Sequence, residues 1–135
     1  MQWLVKEEPE HYSFVQFVAD GTTVWSGVRN PVAQKNLRNM KKGDRVFFYH
    51  TGKEKAVVGT ATVAGAPHPD PKDTSRTLFV VELAAGKALK RPVTLAEIKA
   101  DKRFASFALV RISRLSVMPV SDVEWRDIEA MSRIA

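Results

Sequence analysis

The residues best suited to chemistry stand together at Trp25-Ser26-Gly27-Val28-Arg29-Asn30, where an indole, a hydroxyl, a guanidinium and a carboxamide fall within one polar stretch. A tryptophan is ordinarily core. One set among small and polar residues, on a loop carried by a rigid scaffold, is placed to stack a flat ligand. Just beyond it, Lys35, Arg38 and Lys42 recur on the outer side of a helical pattern whose inner side is Ala33, Leu37 and Met40. An aromatic platform beside a basic helix face suits an unstacked nucleobase, with Lys and Arg holding its phosphates. That is a binding chemistry.

The usual bond-breaking groups are not arranged for work. His11, His50 and His68 are isolated, without paired metal-ligand spacing, and the chain has no cysteine, which excludes disulfides and thiolate metal sites. Neither a metal nor a cofactor is expected. Glu7-Glu8 and Asp70/Asp73 are acid pairs at chain bends, where carboxylates are normally solvated. There is no Walker loop, G-x-G-x-x-G or G-x-S-x-G motif.

Charge is segregated. The chain of 135 residues carries a net +6; Arg29 to Lys55 alone carries +6, Gly86 to Arg114 another +6, and the remainder is correspondingly acidic. Side by side in the fold, these two segments would form a groove for phosphates. The length fits one domain spanning residues 1–135, and no apolar run resembles a signal peptide or a membrane span, so a cytoplasmic protein is expected.

The elements that must position these groups are well punctuated. Gln2 to Lys6 reads as a strand ended by Glu7-Glu8-Pro9. Ser13 with Gln16, and Tyr12 with Phe17, have capping-box and staple spacing, which predicts a helix over Phe14–Ala19. Asn30-Pro31 starts the basic helix, Lys42-Gly43-Asp44 ends it, and Arg45–His50 follows as an aromatic strand. Ala56–Ala64 reads as its hairpin partner, with Gly59 at a bulge or close approach, and Thr77–Leu83 as a third strand. Short connections favour antiparallel pairing there. Gly65–Arg76 is read as loop because Pro67, Pro69 and Pro71 interrupt it. Thr94/Glu97 and Ser121/Glu124 predict two further capped helices, the second with Trp125, Ile128 and Met131 inward. Phe104–Val117, alternating imperfectly, predicts one or two strands bent near Ser113 and stopped by Pro119. Trp3 and Trp125 are read as core.

Several ordered motifs resemble the EVE domain family of PUA-like proteins, relatives of the YTH readers of modified RNA. They are Trp3-Leu4 with Lys6, Glu8-Pro9 and Tyr12; Trp25-x-Gly27-Val28-Arg29-Asn30 with Ala33, Asn36-Leu37-Arg38 and Met40-Lys41; Gly43-Asp44 with Phe47-Phe48-Tyr49-His50; and Arg114-Leu115-Ser116-Val117-x-Pro119-Val120. The resemblance covers nearly the whole chain. It implies an α+β, PUA-like fold, a bent mixed β-barrel flanked by short helices, with a pocket for a modified nucleobase in DNA or RNA.

By that likeness Trp25 is a pocket wall, Ser26, Gly27 and Asn30 supply hydrogen bonds, and Tyr49 and His50 end a strand aimed at the same pocket. Lys6, Arg29, Lys35 and Arg38 are rim or phosphate contacts, joined by Lys42 and Arg114 from the basic segments. Many members carry a tryptophan where Leu78 stands, so Phe79 or Tyr49 is expected to replace that second aromatic wall. The expectation is a non-enzymatic reader of a modified base. The rival expectations are a nucleic-acid-processing enzyme, a nuclease or base hydrolase using Lys6, Glu8, Tyr49 and His50, and a binder of a small nucleotide-like ligand.

Overall fold

The computed structural model describes residues 1–134. In chain order the elements are β1 (Gln2–Glu7), α1 (Phe14–Asp20), β2 (Thr22–Trp25), α2 (Pro31–Arg38), β3 (Arg45–His50), β4 (Ala56–Val63), β5 (His68–Pro69) and β6 (Phe79–Thr94). They continue with α3 (Leu95–Ala100), a 3-10 turn at Lys102–Phe104, α4 (Ala108–Arg111), β7 (Val117–Val120) and α5 (Asp122–Ser132).

The caps form where local chemistry demands them. The Asn30 side chain accepts from Val32 N and Ala33 N, Pro31 opens α2, and both reciprocal bonds of the capping box are made at Thr94/Glu97 and Ser121/Glu124. At α1 only half of the box forms. Ser13 accepts from Gln16 N, but the Gln16 side chain turns forward to Asp20.

The strands make one mixed sheet in the order β2-β6-β4-β3-β1-β7, with β5 added on β6. β1 pairs with β3 in parallel and the other pairs are antiparallel. The expected barrel is therefore an open one, ending at β2 and β7. Its opening is bridged by α2, which packs against both β6 and β7. The buried Gln34 amide accepts from Phe79 N and donates to Phe79 O at the start of β6, while Asn36 Nδ2 donates to Val117 O of β7. Two helix side chains thus satisfy strand groups that a closing ladder would have paired.

Four sequence expectations change. Trp25 is the last residue of β2, paired with Val81, and not part of an irregular loop; the irregular backbone begins after it. Phe104–Val117 contains a 3-10 turn and α4 where strands were expected, because Phe104, Phe107 and Leu109 all turn inward while Ile112 is exposed, a helical rather than alternating arrangement. The third strand runs on through Thr94 as the 16-residue β6, and His68–Pro69 pairs with it as β5. Pro119 lies within β7, where it is tolerated because β7 is an edge strand that pairs only with β1. Gly59 fulfils its expectation: the β4 register shifts around it, and a Cβ there would collide with the Phe14 ring.

Successive residues of β3 face opposite sides of the sheet. Phe48 joins Phe14, Phe17 and Trp25 on one side; Phe47 stacks on Trp125 of α5 on the other, with ring centroids 3.6 Å apart. Trp3, in β1, is buried and donates from Nε1 to Asp44. No helix among the described residues is long and apolar enough to cross a membrane.

Candidate functional site

The end of β1 is where the two faces of the sheet become accessible. Lys6 lies beside Tyr49 in the parallel register and Glu7 beside His50, so alternation sends Lys6 and Glu7 to different sides. Each side opens into a cavity, and Glu7 at the strand end borders both.

On the Glu7 side is a hollow of about 210 Å³ lined by Glu7, His11, Tyr12, Thr23, Val24, Trp25 and Ser26. That is small against the several hundred Å³ of a drug-sized site and fits a single flat ring. Trp25 is only 5% exposed; its indole is held edge-on against Phe48, with centroids 5.5 Å apart. Glu7 Oε1 accepts from Glu8 N and lies 3.2 Å from His11 Nδ1. The Tyr12 hydroxyl donates to Asp20.

On the Lys6 side is a cleft of about 570 Å³. Its cations are Lys6, Lys55, Lys99 and Arg114, its acids Glu7 and Glu8, and Leu95, Leu109 and Tyr49 form its floor. Lys6 Nζ donates to Ser113 O at 2.9 Å and stands 5.6 Å from the centre of the Tyr49 ring. Burial holds the Lys6 ammonium below its ordinary value and pushes the Tyr49 phenol up to about 12. The phenol therefore stays neutral in any physiological buffer.

A third recess, about 480 Å³, runs along α2 between Arg29, Lys35, Arg38, Thr77 and Leu78. Arg38 donates to Thr77 O, and its guanidinium sits 4.8 Å above the Phe79 ring.

The sequence-derived candidates are thus divided among three places. Trp25 and Ser26 line the hollow. Lys6, Tyr49 and Arg114 line the cleft, and Arg29, Lys35 and Arg38 line the α2 recess. Gly27 takes φ +75° in the connection from hollow to recess, a conformation that suits glycine. Phe79 lies under Arg38, outside the lining of the hollow, and the Asn30 oxygen is used in the cap. Lys42 is exposed on the turn after α2 and borders none of these cavities.

His50 is buried and committed at both nitrogens. Nε2 accepts from Phe14 N, so Nδ1 carries the proton and donates to Glu54. Of the groups considered for catalysis, Lys6, Glu8 and Tyr49 do share the cleft, whereas His50 faces the α1 side. Sequence reasoning assigned no site role to Glu7, Tyr12, Lys55 or Lys99, which line the hollow or the cleft. For the two lysines a signal existed: one belongs to each basic segment. Among the described residues no cluster of His, Cys, Asp or Glu could hold a metal ion.

Comparison with known proteins places this geometry in context. The sequence profile of the EVE domain matches residues 1–131. The solution structure of Rpa0253 from Rhodopseudomonas palustris is 44% identical and superposes with a TM-score of 0.92, covering 97% of this chain and 92% of that one. Human thymocyte nuclear protein 1 is 29% identical over 91% of this chain and 70% of its own length. The crystal structure of that human protein, THYN1, in complex with DNA containing 5-methylcytosine gives a TM-score of 0.91 at 26% identity, covering 99% of this chain and 98% of that one.

Proposed function

The chain belongs to the EVE domain family, and from that premise we propose that it binds nucleic acid and reads one modified base turned out of its stack into the hollow beside Trp25. The observation that carries this reading is the hollow itself, a ring-sized space at a strand end where an indole, a carboxylate and short apolar side chains meet. Each group has a task. Trp25, held edge-on against Phe48, is the stacking partner, worth roughly 1–3 kcal/mol for a base. Glu7 accepts from an exocyclic amine, the donor that cytosine presents. Thr23 and Val24 supply the apolar contact that a methyl group on the ring would reward.

Modified cytosine is the favoured base, supported by the DNA that human THYN1 holds in its crystal structure. RNA is a second carrier of such a base. Extruding the base costs a few kcal/mol, so stacking and edge contacts together must offset it. This is recognition without turnover.

Fluorescence anisotropy with labelled oligonucleotides, single-stranded and duplex, carrying cytosine or 5-methylcytosine at one position, tests the proposal. The expected result is tighter binding of the methylated strand that persists at higher salt. Glu7→Gln keeps the bond to Glu8 N but weakens acceptance of the amine that both bases present, and should lower the affinity for both strands while leaving the methyl preference in place. Equal binding of both strands by the folded protein would overturn the reading.

A further inference from the structure

A base in the hollow leaves the larger cleft without an occupant. Its cations come from distant parts of the chain: Lys6 from β1, Lys55 from the turn before β4, Lys99 from the last turn of α3, and Arg114 from the segment after α4. Both basic segments therefore contribute to one cavity. Against Glu7 and Glu8 the four cations leave a surplus of positive charge.

The cleft is also held in shape. Lys6 is fixed by Ser113 O beside the Tyr49 ring, and its half-burial disfavours a charge that a bound anion would restabilise. Lys55 adopts φ +46°, a strained conformation for a side chain of its size, while its carbonyl accepts from Leu95 N at the start of α3. That bond ties the backbone of Lys55 to the start of α3 at the cleft. Tyr49 is the one aromatic residue in the lining of the cleft, and the Lys6 ammonium stands over that ring, so these walls suit phosphate and sugar better than a second flat base.

We infer that the cleft carries the sugar-phosphate backbone next to the base in the hollow, so that the ligand is a polynucleotide strand and not a free modified nucleoside or nucleotide. The connection is Glu7, which borders both cavities: a strand leaving the hollow at this residue enters the cleft directly. This rests on the reading of the hollow as a base site, and the test separates the two.

Lys55→Asn, Lys99→Gln and Arg114→Gln are combined in one variant. All three side chains are exposed, and Asn tolerates the positive φ at position 55. Binding of a single strand carrying 5-methylcytosine is then measured from low to high salt, beside free 5-methylcytidine 5′-monophosphate as a competitor. Each phosphate that is no longer neutralised lowers the slope of log K against log salt by about 0.7, so the slope of the triple variant should fall by about 2. The ratio of methylated to unmethylated binding should be preserved, and the mononucleotide should compete only weakly.

An unchanged slope with the base preference intact would overturn the cleft inference alone. So would a mononucleotide that competes as well as the strand. A fall in slope in a protein that never showed a base preference would leave the cleft as a backbone site and remove the hollow reading. A thermal melt of the variant matching the wild type shows that the fold is retained.

Discussion

Trp125 and Trp25 occupy opposite sides of β3, and burial alone does not tell them apart, at 1% and 5% exposure. Their second faces do. Trp125 is filled on both sides, by Phe47 at 3.6 Å and by the Arg45 guanidinium at 4.6 Å, and its buried Nε1 has no hydrogen-bond partner among the described residues. Trp25 meets one aromatic ring edge-on and borders a cavity. A tryptophan whose ring is packed by neighbours and borders no cavity is structure, whereas one that meets a single ring and borders a cavity is available to a ligand.

The strongest attempt to break that contrast is Trp125→Ala. With both faces packed it should destabilise by roughly 3–5 kcal/mol, readable as a lowered denaturation midpoint. Gly59→Ala follows. It drives a methyl group into the Phe14 ring under the hollow, and should cost roughly 1–3 kcal/mol while distorting the Trp25 side specifically. Trp25→Ala should give the opposite balance from Trp125→Ala: a smaller loss of stability, because the site already adjoins empty space, and weaker binding of the base by roughly 1–3 kcal/mol in titrations, its methyl preference going with the lost stack. Should Trp25→Ala prove as destabilising as Trp125→Ala with base preference untouched, the contrast fails.

The smallest effect sharpens the Trp125 side. Arg91 holds Glu97 by two hydrogen bonds and also donates to Met131 O and Ile134 O at the end of α5. Those bonds, with the Thr94 backbone N–H, lower the Glu97 carboxyl from 4.5 to about 2. A carboxylate held low in the folded state stabilises fully above its unfolded value and loses that contribution as pH falls from 4.5 toward 2. Melting curves of Glu97→Gln against wild type should therefore differ most at neutral pH and converge in acid. The pair is about one-third exposed, so the difference should be modest.

What could be read in the sequence was whatever local chemistry decides. Asn30-Pro31, Thr94 with Glu97 and Ser121 with Glu124 announce helix starts from within a few residues, and the aromatic run at Arg45–His50 allows no other element. Strand β2 could not be read, because its four residues become a strand only by pairing with residues about 60 positions away. Nor could the role of His50, fixed by the backbone of Phe14. The Trp25 motif names two residues that line the hollow, yet the division of the strand end between two cavities, with Lys6 on one and Glu7 bordering both, appears only once β1 lies beside β3.

The placement of β1 in the sheet bears on how the chain is made. This strand lies between β3 and β7, so one flank is paired once residue 50 exists and the other waits for residues 117–120. On a ribosome, where the chain emerges from its N-terminus, that second flank stays an open row of amide and carbonyl groups while most of the protein is synthesised. A chain released just short of Val117 would contain every residue that lines the hollow and the cleft yet still offer the second edge of β1 to any neighbour. Premature termination there is expected to yield aggregates, and a pulse of short-chain products in translation should sediment while the full-length chain stays in solution.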